Sequence, residues 1–320
     1  MTADLFLAPP ALTESLPVAA PFNLLVTVRL LQRRPVNRVD RWENGRYVRV
    51  VRTPGGLRLI SVRDDGTIHR PDLRLAFHGN EPAGDERRQI VSTVRWVLGL
   101  DAEPGPVDWL VEREPTFAPV ARPLTGFRVP CFADLFDTCL SVIPFQQLSL
   151  DAGVAIYGRI VDRWGPVLEA GEGSWRGMPT PNVIAEADPD ALREVGLSRA
   201  KVTALQSLAR IALDGGLDAD RFQSRATEEA RREIVKLPGI GPWSADVIML
   251  RGLRRVDLFP PGDTGSARGL TALLGLPDLL TPSQAAGYAL QFGDRRGYLY
   301  FLSLGSQLIR KGILDPARSP

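Results

Sequence analysis

The amino-acid sequence predicts an α+β protein in which an N-terminal antiparallel sheet domain with helices precedes an all-α domain. Between residues 46 and 79, short runs of alternating apolar and polar residues are separated by tight turns, a pattern typical of strands. From Thr125 onward this alternation stops and apolar residues recur at helical spacing. Within that part, LPGIGPWSADV (residues 237–247) sets glycines and prolines between two helical segments, which predicts a helix-hairpin-helix.

These patterns divide the 320 residues into three parts. Residues 1–18 are rich in proline and alanine and have no period, so we expect a flexible tail there. Residues 19–123 form the predicted α/β sheet domain, with a helix over DERRQIVSTVRWVLGL (residues 85–100). Residues 124–320 form the predicted all-α domain, in which the hairpin occupies residues 237–243.

The two helices of the hairpin are bounded by recognisable signals. Upstream, TEEARREIVK begins at Thr227, a suitable N-cap, and Pro238 stops that helix. The glycines are expected to supply the positive φ angles of the turn, and Pro242 suits the first position of the next helix. Such a turn leaves backbone N–H groups pointing outward at the positive end of the second helix. The sequence therefore predicts a phosphate-binding site.

Composition narrows the class of protein only slightly. A formal net charge of +2 and an apolar content of 44% are ordinary for a soluble globular protein and do not by themselves indicate a nucleic-acid partner. Residues 231–320 nevertheless carry twelve basic and seven acidic side chains, a mild basic bias around the hairpin. The first residues lack the basic segment of a secretion signal and no stretch is apolar enough to span a membrane. We therefore expect a cytoplasmic protein.

Cysteines and histidines are too few to suggest a metal or iron–sulfur centre. They are Cys131, Cys139, His69 and His78, and their spacing brings no set of metal ligands together. So low a cysteine count also suits a reducing compartment. The sequence predicts no metal site.

Asp263 follows the hairpin in the stretch LFPPGDTGSARGL, at the start of another predicted helix. Taken alone, it is an ordinary N-cap. The rigid Pro-Pro-Gly lead-in, however, fixes its carboxylate one helix and one loop beyond the phosphate-binding hairpin, where an anion would repel a bound DNA backbone. Such an anion is useful if it meets a positive charge that forms in a reaction. Asp263 is therefore also the candidate catalytic residue.

Four motifs in this order resemble the helix-hairpin-helix (HhH-GPD) DNA glycosylase superfamily. They are LTGFRVPCFADLFD (residues 124–137), VIPFQQLSLDAG (residues 142–153), MPTPNVIAEADPDALREVGLSRAKVTALQSLA (residues 178–209), and the hairpin with its following aspartate. The resemblance is strongest to the bacterial 3-methyladenine DNA glycosylase II branch and extends, more faintly, to its N-terminal sheet domain. It implies a monofunctional base-excision enzyme that flips a nucleotide out of duplex DNA and releases an alkylated purine by hydrolysis.

The resemblance also assigns a catalytic carboxylate and a base pocket. Asp263 is the implied catalytic residue. The pocket has fewer aromatic residues than the family pattern, because aliphatic side chains stand at several of its aromatic positions, Leu30 among them. Two aromatic residues of the last helix would compensate. The implied pocket residues are Trp243, Val247, Leu304, Phe301 and Tyr298.

Two segments are implied to contact DNA, the hairpin and the loop before the helix that starts near residue 150. Gln147 falls at the position that fills the space left by the flipped nucleotide, where the family also has leucine. The implied DNA-binding residues are Gly239, Ile240, Gly241, Ser244, Gln146, Gln147 and Ser149.

A single carboxylate suits a leaving base that already carries a positive charge. No second carboxyl group is recognisable as a general acid near Asp263, and an N3- or N7-alkylated purine needs none. Superfamily members that also cleave the strand carry a lysine just after the hairpin, where this chain has Trp243. Lys236 precedes the hairpin as a solvated charge. We therefore expect a monomer that binds double-stranded DNA and no membrane, does not nick the strand, and needs no cofactor except, at most, a monovalent cation held by hairpin carbonyls.

Two other functions stay open at this point. One is a glycosylase for oxidised, deaminated or bulky bases, because the pocket departs from the aromatic pattern of the family. The other is a non-catalytic helix-hairpin-helix module that only binds the DNA backbone.

Overall fold

Five strands near the N-terminus form one antiparallel sheet in the computed structural model, which describes residues 9–171 and 173–315. Two buried pairs show the register, since Tyr47 stands opposite Val62 and Ile60 opposite Phe77, and all four side chains lie in one hydrophobic cluster. The predicted α+β class is thus confirmed. The order across the sheet is β1 (Leu12–Leu16), β5 (Leu73–His78), β4 (Gly56–Asp64), β3 (Arg46–Thr53) and β2 (Arg41–Glu43).

The strand β1 corrects the predicted tail of residues 1–18. Residues 1–8 lie outside the described part of the chain, but β1 pairs antiparallel with β5 and places Leu12 opposite Phe77. Only the alternation LTESL signals this strand, with Leu16 buried at its end. The prediction failed here because the pairing partner lies some sixty residues further along the chain, out of reach of any local pattern.

Two helices accompany the sheet, α1 (Leu24–Gln32) and α2 (Gly84–Leu98). Asn23 caps α1 by accepting a hydrogen bond of 3.1 Å from the backbone N–H of Val26. One face of α1 packs in the cluster of the sheet, whereas Val26 and Leu30 pack with the C-terminal helices. The helix α1 is therefore shared between the two domains.

Helices form most of the remaining structure, and no helix among the described residues is long and apolar enough to cross a membrane. Their bounds are α3 (Val107–Arg113), α4 (Ala118–Ala121), α5 (Leu135–Leu140), α6 (Leu150–Trp164), α7 (Pro181–Glu186), α8 (Pro189–Glu194), α9 (Arg199–Leu213), α10 (Ala219–Gln223), α11 (Thr227–Ile234), α12 (Pro242–Gly252), α13 (Thr264–Leu273), α14 (Pro282–Ala289) and α15 (Tyr298–Arg310). Short 3₁₀ turns lie at Pro115–Phe117, Arg122–Leu124, Ile143–Phe145 and Leu290–Arg295.

The boundary between the sheet domain and the helical domain does not lie at residue 123, where the sequence predicted it. α3 and α4 precede that boundary, but Leu110 and Phe117 belong to the hydrophobic cluster of α13–α15. Phe117 stacks on Phe292 with ring centroids 6.0 Å apart. The chain thus leaves the sheet after α2 and completes the C-terminal cluster before it enters α5.

A β-hairpin interrupts the domain that was predicted to be all-α. Its strands are β6 (Val167–Ala170) and β7 (Gly173–Arg176), and Trp175 is buried against Val48 and Leu59 of the N-terminal sheet. Each strand has only four residues, too few for a recognisable alternation. The apolar surface that stabilises them belongs to the other domain, which the local sequence does not reveal.

A buried charge cluster joins the sheet to the helical domain. The guanidinium of Arg49, on β3, lies 2.6 Å from Asp40 Oδ1 and 3.1 Å from Asp137 Oδ2 on α5. All three side chains are buried. Burial, together with the neighbouring carboxylates of Asp134 and Asp40, raises the pKa of Asp137 well above its ordinary value and outweighs the attraction of Arg49. The cluster therefore favours a protonated Asp137.

We predict that Asp137→Asn gains stability relative to the wild type as the pH rises. A carboxyl group whose pKa is higher in the folded protein than its unfolded value of about 3.9 stabilises the fold below that value. This contribution is lost as the pH rises through the folded pKa, and asparagine keeps the neutral form throughout. The difference in unfolding free energy between variant and wild type should therefore grow above about pH 4, by up to ~1.4 kcal/mol per pH unit.

Urea unfolding of both proteins at a series of pH values measures this difference. Asp190→Asn removes an exposed carboxylate and serves as the control. If the difference in unfolding free energy between Asp137→Asn and the wild type stayed constant with pH, the raised pKa of Asp137 would be contradicted.

Candidate active site

The predicted helix-hairpin-helix lies between α11 and α12. Thr227 is the first residue of α11 rather than its N-cap, since Ala226 occupies the cap position. Gly239 has a φ of +72°, and a Cβ there would lie 2.4 Å from the Cβ of Ala204, so no side chain fits. Gly241 instead caps α12 with a φ of −91°, and a Cβ there would meet no atom within 4 Å. Of these two glycines, Gly239 alone needs the positive φ that the sequence led us to expect.

The turn exposes the backbone at the start of α12. Gly239 and Gly241 are exposed, whereas Ile240 between them is buried and anchors the turn in the helical core. Any contact of Ile240 with DNA would therefore be made by its backbone. The first N–H groups of a helix have no partner within the helix, so this end of α12 is suited to bind a phosphate group.

Asp263 is the N-cap of α13. Its Oδ1 accepts a hydrogen bond of 2.6 Å from the backbone N–H of Ser266. Its Oδ2 accepts a hydrogen bond of 2.8 Å from the indole Nε1 of Trp243. The side chain is half-buried. The carboxylate is therefore fixed at both oxygens and still reachable from solvent.

Trp243 has a role that the sequence did not show. It stands in the first turn of α12, directly after the hairpin, and is partly buried against the helical core. Its indole N–H reaches across 20 residues of chain to the carboxylate of Asp263. One side chain thus connects the phosphate-binding turn to the candidate catalytic group.

Tyr298 and Phe301 face the core and not an open pocket, contrary to the prediction. Phe301 is fully buried, and its ring centroid lies 6.4 Å from that of Phe127. Tyr298 lies edge-on to the same ring at 6.1 Å. These two rings therefore do not supply the aromatic side chains that the implied pocket lacks. Helical spacing showed that α15 has an apolar face, but not what that face packs against.

The three aliphatic positions of the implied pocket are also largely covered. Val247 is 1% exposed, Leu30 is fully buried and Leu304 is 6% exposed. Leu304 retains the most surface of the three. Gln307, one turn further along α15, is a polar side chain that the sequence did not single out, and it binds the carbonyl oxygen of Gly265 in the first turn of the helix that Asp263 caps. The surroundings of the carboxylate are thus less aromatic and more polar than the resemblance implied.

Gln146 binds the hairpin internally instead of presenting its amide to DNA. Its Nε2 donates to the carbonyl oxygen of Gly239 at 2.8 Å and to Ser244 Oγ at 2.9 Å. Lys201, on α9, donates from Nζ to the carbonyl oxygens of Gln146 at 2.8 Å and Pro144 at 3.2 Å. Sequence reasoning missed Lys201 as a functional residue, although it is the lysine of the GLSRAK motif. Together these contacts fix the loop against the hairpin.

The tip of this loop is exposed. Gln147 has a positive φ of 58° and an exposed side chain, which agrees with the predicted position at the DNA surface. Leu148 beside it is 45% exposed, an apolar side chain that the sequence analysis did not consider. Ser149 is also exposed, but its hydroxyl accepts from the N–H of Ala152 and caps α6. Gln147 and Leu148 are therefore the two side chains free to enter a DNA duplex.

No lysine, histidine or second carboxyl group hydrogen-bonds Asp263 in the described part of the chain. Lys201 contacts the loop carbonyls, and Lys311 pairs with Asp151 at 2.7 Å. Asp246, on α12, is buried and pairs with Arg231 at 2.5 Å, and burial raises the pKa of its carboxyl group. Across residues 9–171 and 173–315, no group of three or more histidine, cysteine, aspartate or glutamate side chains is placed to hold a metal ion.

Two family models match this chain. The model for HhH-GPD superfamily base excision DNA repair proteins matches residues 140–290, and the model for the AlkA N-terminal domain matches residues 13–134. The probable bifunctional transcriptional activator/DNA repair enzyme AlkA of Mycobacterium tuberculosis is 30% identical over 82% of this chain and 51% of that protein. This chain thus spans about half the length of that relative.

Two further comparisons cover almost the whole of the similar protein. DNA-3-methyladenine glycosylase 2 of Escherichia coli is 26% identical over 87% of this chain and 92% of that protein. The solved structure of a 3-methyladenine DNA-glycosylase from Archaeoglobus fulgidus superimposes with a TM-score of 0.75 at 21% identity, covering 93% of this chain and 99% of that one. The structural likeness shows that the fold is shared.

We predict that alanine is tolerated at Gly241 but not at Gly239. An alanine at a φ of +72° is strained, and its Cβ would also collide with Ala204, so Gly239→Ala should lower the unfolding free energy by about 2 kcal/mol or more. Gly241→Ala has an allowed backbone and open space, and should change it by less than about 0.5 kcal/mol. Urea unfolding of both variants makes the comparison. Equal losses of unfolding free energy in the two variants would contradict the prediction that only Gly239 requires glycine.

Proposed function

The chain belongs to the HhH-GPD superfamily of base excision DNA repair proteins, and we propose that it is a monofunctional DNA glycosylase that releases alkylated purines from duplex DNA. One observation carries the proposal. The carboxylate of Asp263 is held at both oxygens, and one of its two donors, Trp243, directly follows the phosphate-binding turn. A plain N-cap needs only the contact with Ser266.

The hairpin binds the DNA backbone without reading its sequence. The exposed turn at Gly241 and the free N–H groups at the start of α12 bind a phosphate group of the duplex. The damaged nucleotide must leave the base stack before its glycosidic bond is reachable, at a cost of a few kcal/mol. Gln147 and Leu148, at the tip of the fixed loop, fill the space that the nucleotide leaves.

Asp263 stabilises the positive charge that forms on the sugar. As the C1′–N9 bond breaks, its electron pair moves into the cationic base and neutralises it, so the base leaves without a proton donor. The sugar becomes oxocarbenium-like, and the carboxylate lies ready to stabilise it. A water oxygen then bonds to C1′ and its proton passes to Asp263 or to solvent, which leaves an abasic site.

The two alternative functions are less well supported. A glycosylase for oxidised, deaminated or bulky bases is disfavoured in its strand-cleaving form, which needs a lysine amine near the sugar, because Trp243 stands at that position and Lys201 is bound to loop carbonyls. A module that only binds DNA has no use for a carboxylate fixed at both oxygens beside the phosphate site. The geometry therefore favours hydrolysis without strand cleavage.

A monomeric state, a cytoplasmic location and the absence of a cofactor remain predictions of this proposal. A monovalent cation bound by carbonyl oxygens of the hairpin is likewise a prediction. The carbonyl oxygen of Gly239 already accepts a hydrogen bond from Gln146, so such a cation would use other carbonyls of the turn.

We predict that Asp263→Asn abolishes base release while DNA binding persists or tightens. Asparagine is an equally good N-cap, so the start of α13 is preserved, but the negative charge is lost. The single-turnover rate on a 7-methylguanine duplex should fall more than tenfold, about 1.4 kcal/mol of barrier. Abasic sites are revealed by heating in alkali, and binding is measured by titration.

Asp278→Asn removes the same charge from an exposed loop and should retain wild-type activity. An Asp263→Asn variant with more than about a tenth of the wild-type rate would exclude Asp263 as the catalytic group.

We predict that Trp243→Phe slows base release by roughly tenfold without weakening DNA binding. Phenylalanine keeps an aromatic ring but loses the N–H that holds Asp263, and a hydrogen bond to a charged group contributes about 1.5–3 kcal/mol. Trp243→Ala also removes any stacking on the flipped base, worth about 1–3 kcal/mol, and should be slower still. Trp109→Phe, at a site packed on Phe292, controls for general effects of losing an indole. Wild-type rates in Trp243→Phe would rule out a catalytic use of this hydrogen bond.

A further inference from the structure

Gln307 lies at the helix end that Asp263 caps. Its Nε2 donates to the carbonyl oxygen of Gly265 at 3.0 Å. A Cβ placed on Gly265 would lie 3.1 Å from Asp263 Oδ1 and 3.8 Å from Gln307 Nε2. Gly265 thus lies between the two groups, and the amide of Gln307 is on the Oδ1 side of the carboxylate, away from the oxygen that Trp243 binds.

The orientation of the Gln307 amide is determined by its partner. A carbonyl oxygen can only accept, so the group that faces Gly265 is the NH₂ of the amide. The oxygen, Oε1, accepts no hydrogen bond from any described residue and is not among the buried atoms that lack a partner. Gln307 is half-buried. Its anchored side chain therefore presents a hydrogen-bond acceptor that solvent or a ligand can reach.

This acceptor stands out among the side chains around Asp263. The indole N–H of Trp243 is already used by the carboxylate, and Leu304, one turn before Gln307, is apolar. Neither of these side chains can accept a hydrogen bond from a base. A base placed against Asp263 would therefore meet aromatic and aliphatic surface and, besides the carboxylate itself, the acceptor of Gln307.

We propose that Gln307 is a specificity-determining residue whose Oε1 accepts a hydrogen bond from an exocyclic amino group of the flipped purine. The proposal rests on the proposed function, since it concerns the base that Asp263 helps to release. An amino group donates to Oε1, whereas hypoxanthine lacks the 2-amino group of guanine and has a carbonyl oxygen, which Oε1 would repel, in place of the 6-amino group of adenine. The favoured substrates are therefore alkylated purines that keep their amino group.

Two pairs of duplexes test this proposal, each pair differing only in one amino group. The first contains 7-methylguanine or 7-methylhypoxanthine, and the second contains 7-methyladenine or 7-methylpurine. Because the bases of a pair differ in intrinsic lability, the informative quantity is the rate of the variant relative to the wild type on each duplex. Spontaneous base loss is subtracted, and rates are taken under single-turnover conditions.

Gln307→Leu should slow release of the amino-bearing base about tenfold in at least one pair, as expected for a lost hydrogen bond of about 1.4 kcal/mol, and leave its partner within about twofold. Gln307→Met, which keeps the length of the side chain without an acceptor, should show the same selectivity if the leucine variant folds poorly. Gln291→Leu is the matched control, since Gln291 also donates to a backbone carbonyl but lies at an exposed site.

Equal losses on both members of both pairs would overturn the proposal and make Gln307 a structural residue. Unchanged rates on all four duplexes would also overturn it, while the proposed glycosylase function would stand. If the wild type released none of the four bases, the proposed function itself would fail, and the inference about Gln307 would fail with it.

Discussion

The pair of hydrogen bonds to Asp263 is the constraint around which the candidate site is arranged. The bond from Ser266 requires α13 to begin at that residue, and the bond from Trp243 requires α12 to begin directly after the hairpin. Gly239 determines where α12 begins, because its backbone fits against Ala204 only without a side chain. A displacement of the turn would therefore move the indole and the carboxylate together. The turn proposed to bind phosphate and the carboxylate proposed to stabilise charge therefore belong to one structural unit.

The loop before α6 is connected to the same unit by hydrogen bonds. Lys201 holds two of its carbonyl oxygens, and Gln146 links it to the turn and to α12. Burial lowers the pKa of Lys201, whose ammonium group is partly removed from water and donates to those two carbonyls instead. The exposed tip can then enter a duplex at a fixed position relative to the bound phosphate. Such preorganisation reduces the conformational entropy lost when DNA binds.

Local sequence signals predicted strands β3, β4 and β5, the helix-hairpin-helix and the position of Asp263, because turn residues, capping and periodicity act over a few residues. They did not predict β1, the β6–β7 hairpin or the inward direction of Phe301, since each depends on a distant surface. The hydrogen-bonding roles of Trp243 and Lys201 were missed for the same reason. Their partners lie 20 and 55–57 residues away, a separation at which no spacing rule applies. The resemblance identified Trp243 but only as a residue of the base pocket.

The implied pocket has few aromatic side chains, which raises the question of how such a site distinguishes damaged from normal purines. Stacking contributes about 1–3 kcal/mol per base and is available to every base, so it discriminates weakly even where several rings are present. A single acceptor at Gln307 does not discriminate strongly either, because normal adenine and guanine carry the same amino groups. Damaged and normal purines differ far more in how readily the base leaves the sugar. A normal purine leaves as an anion unless an acid protonates it, and no acid hydrogen-bonds Asp263 within the described residues. A cationic alkylated purine leaves as a neutral base, so in the proposed mechanism a site without a proton donor would release damaged purines and spare normal ones.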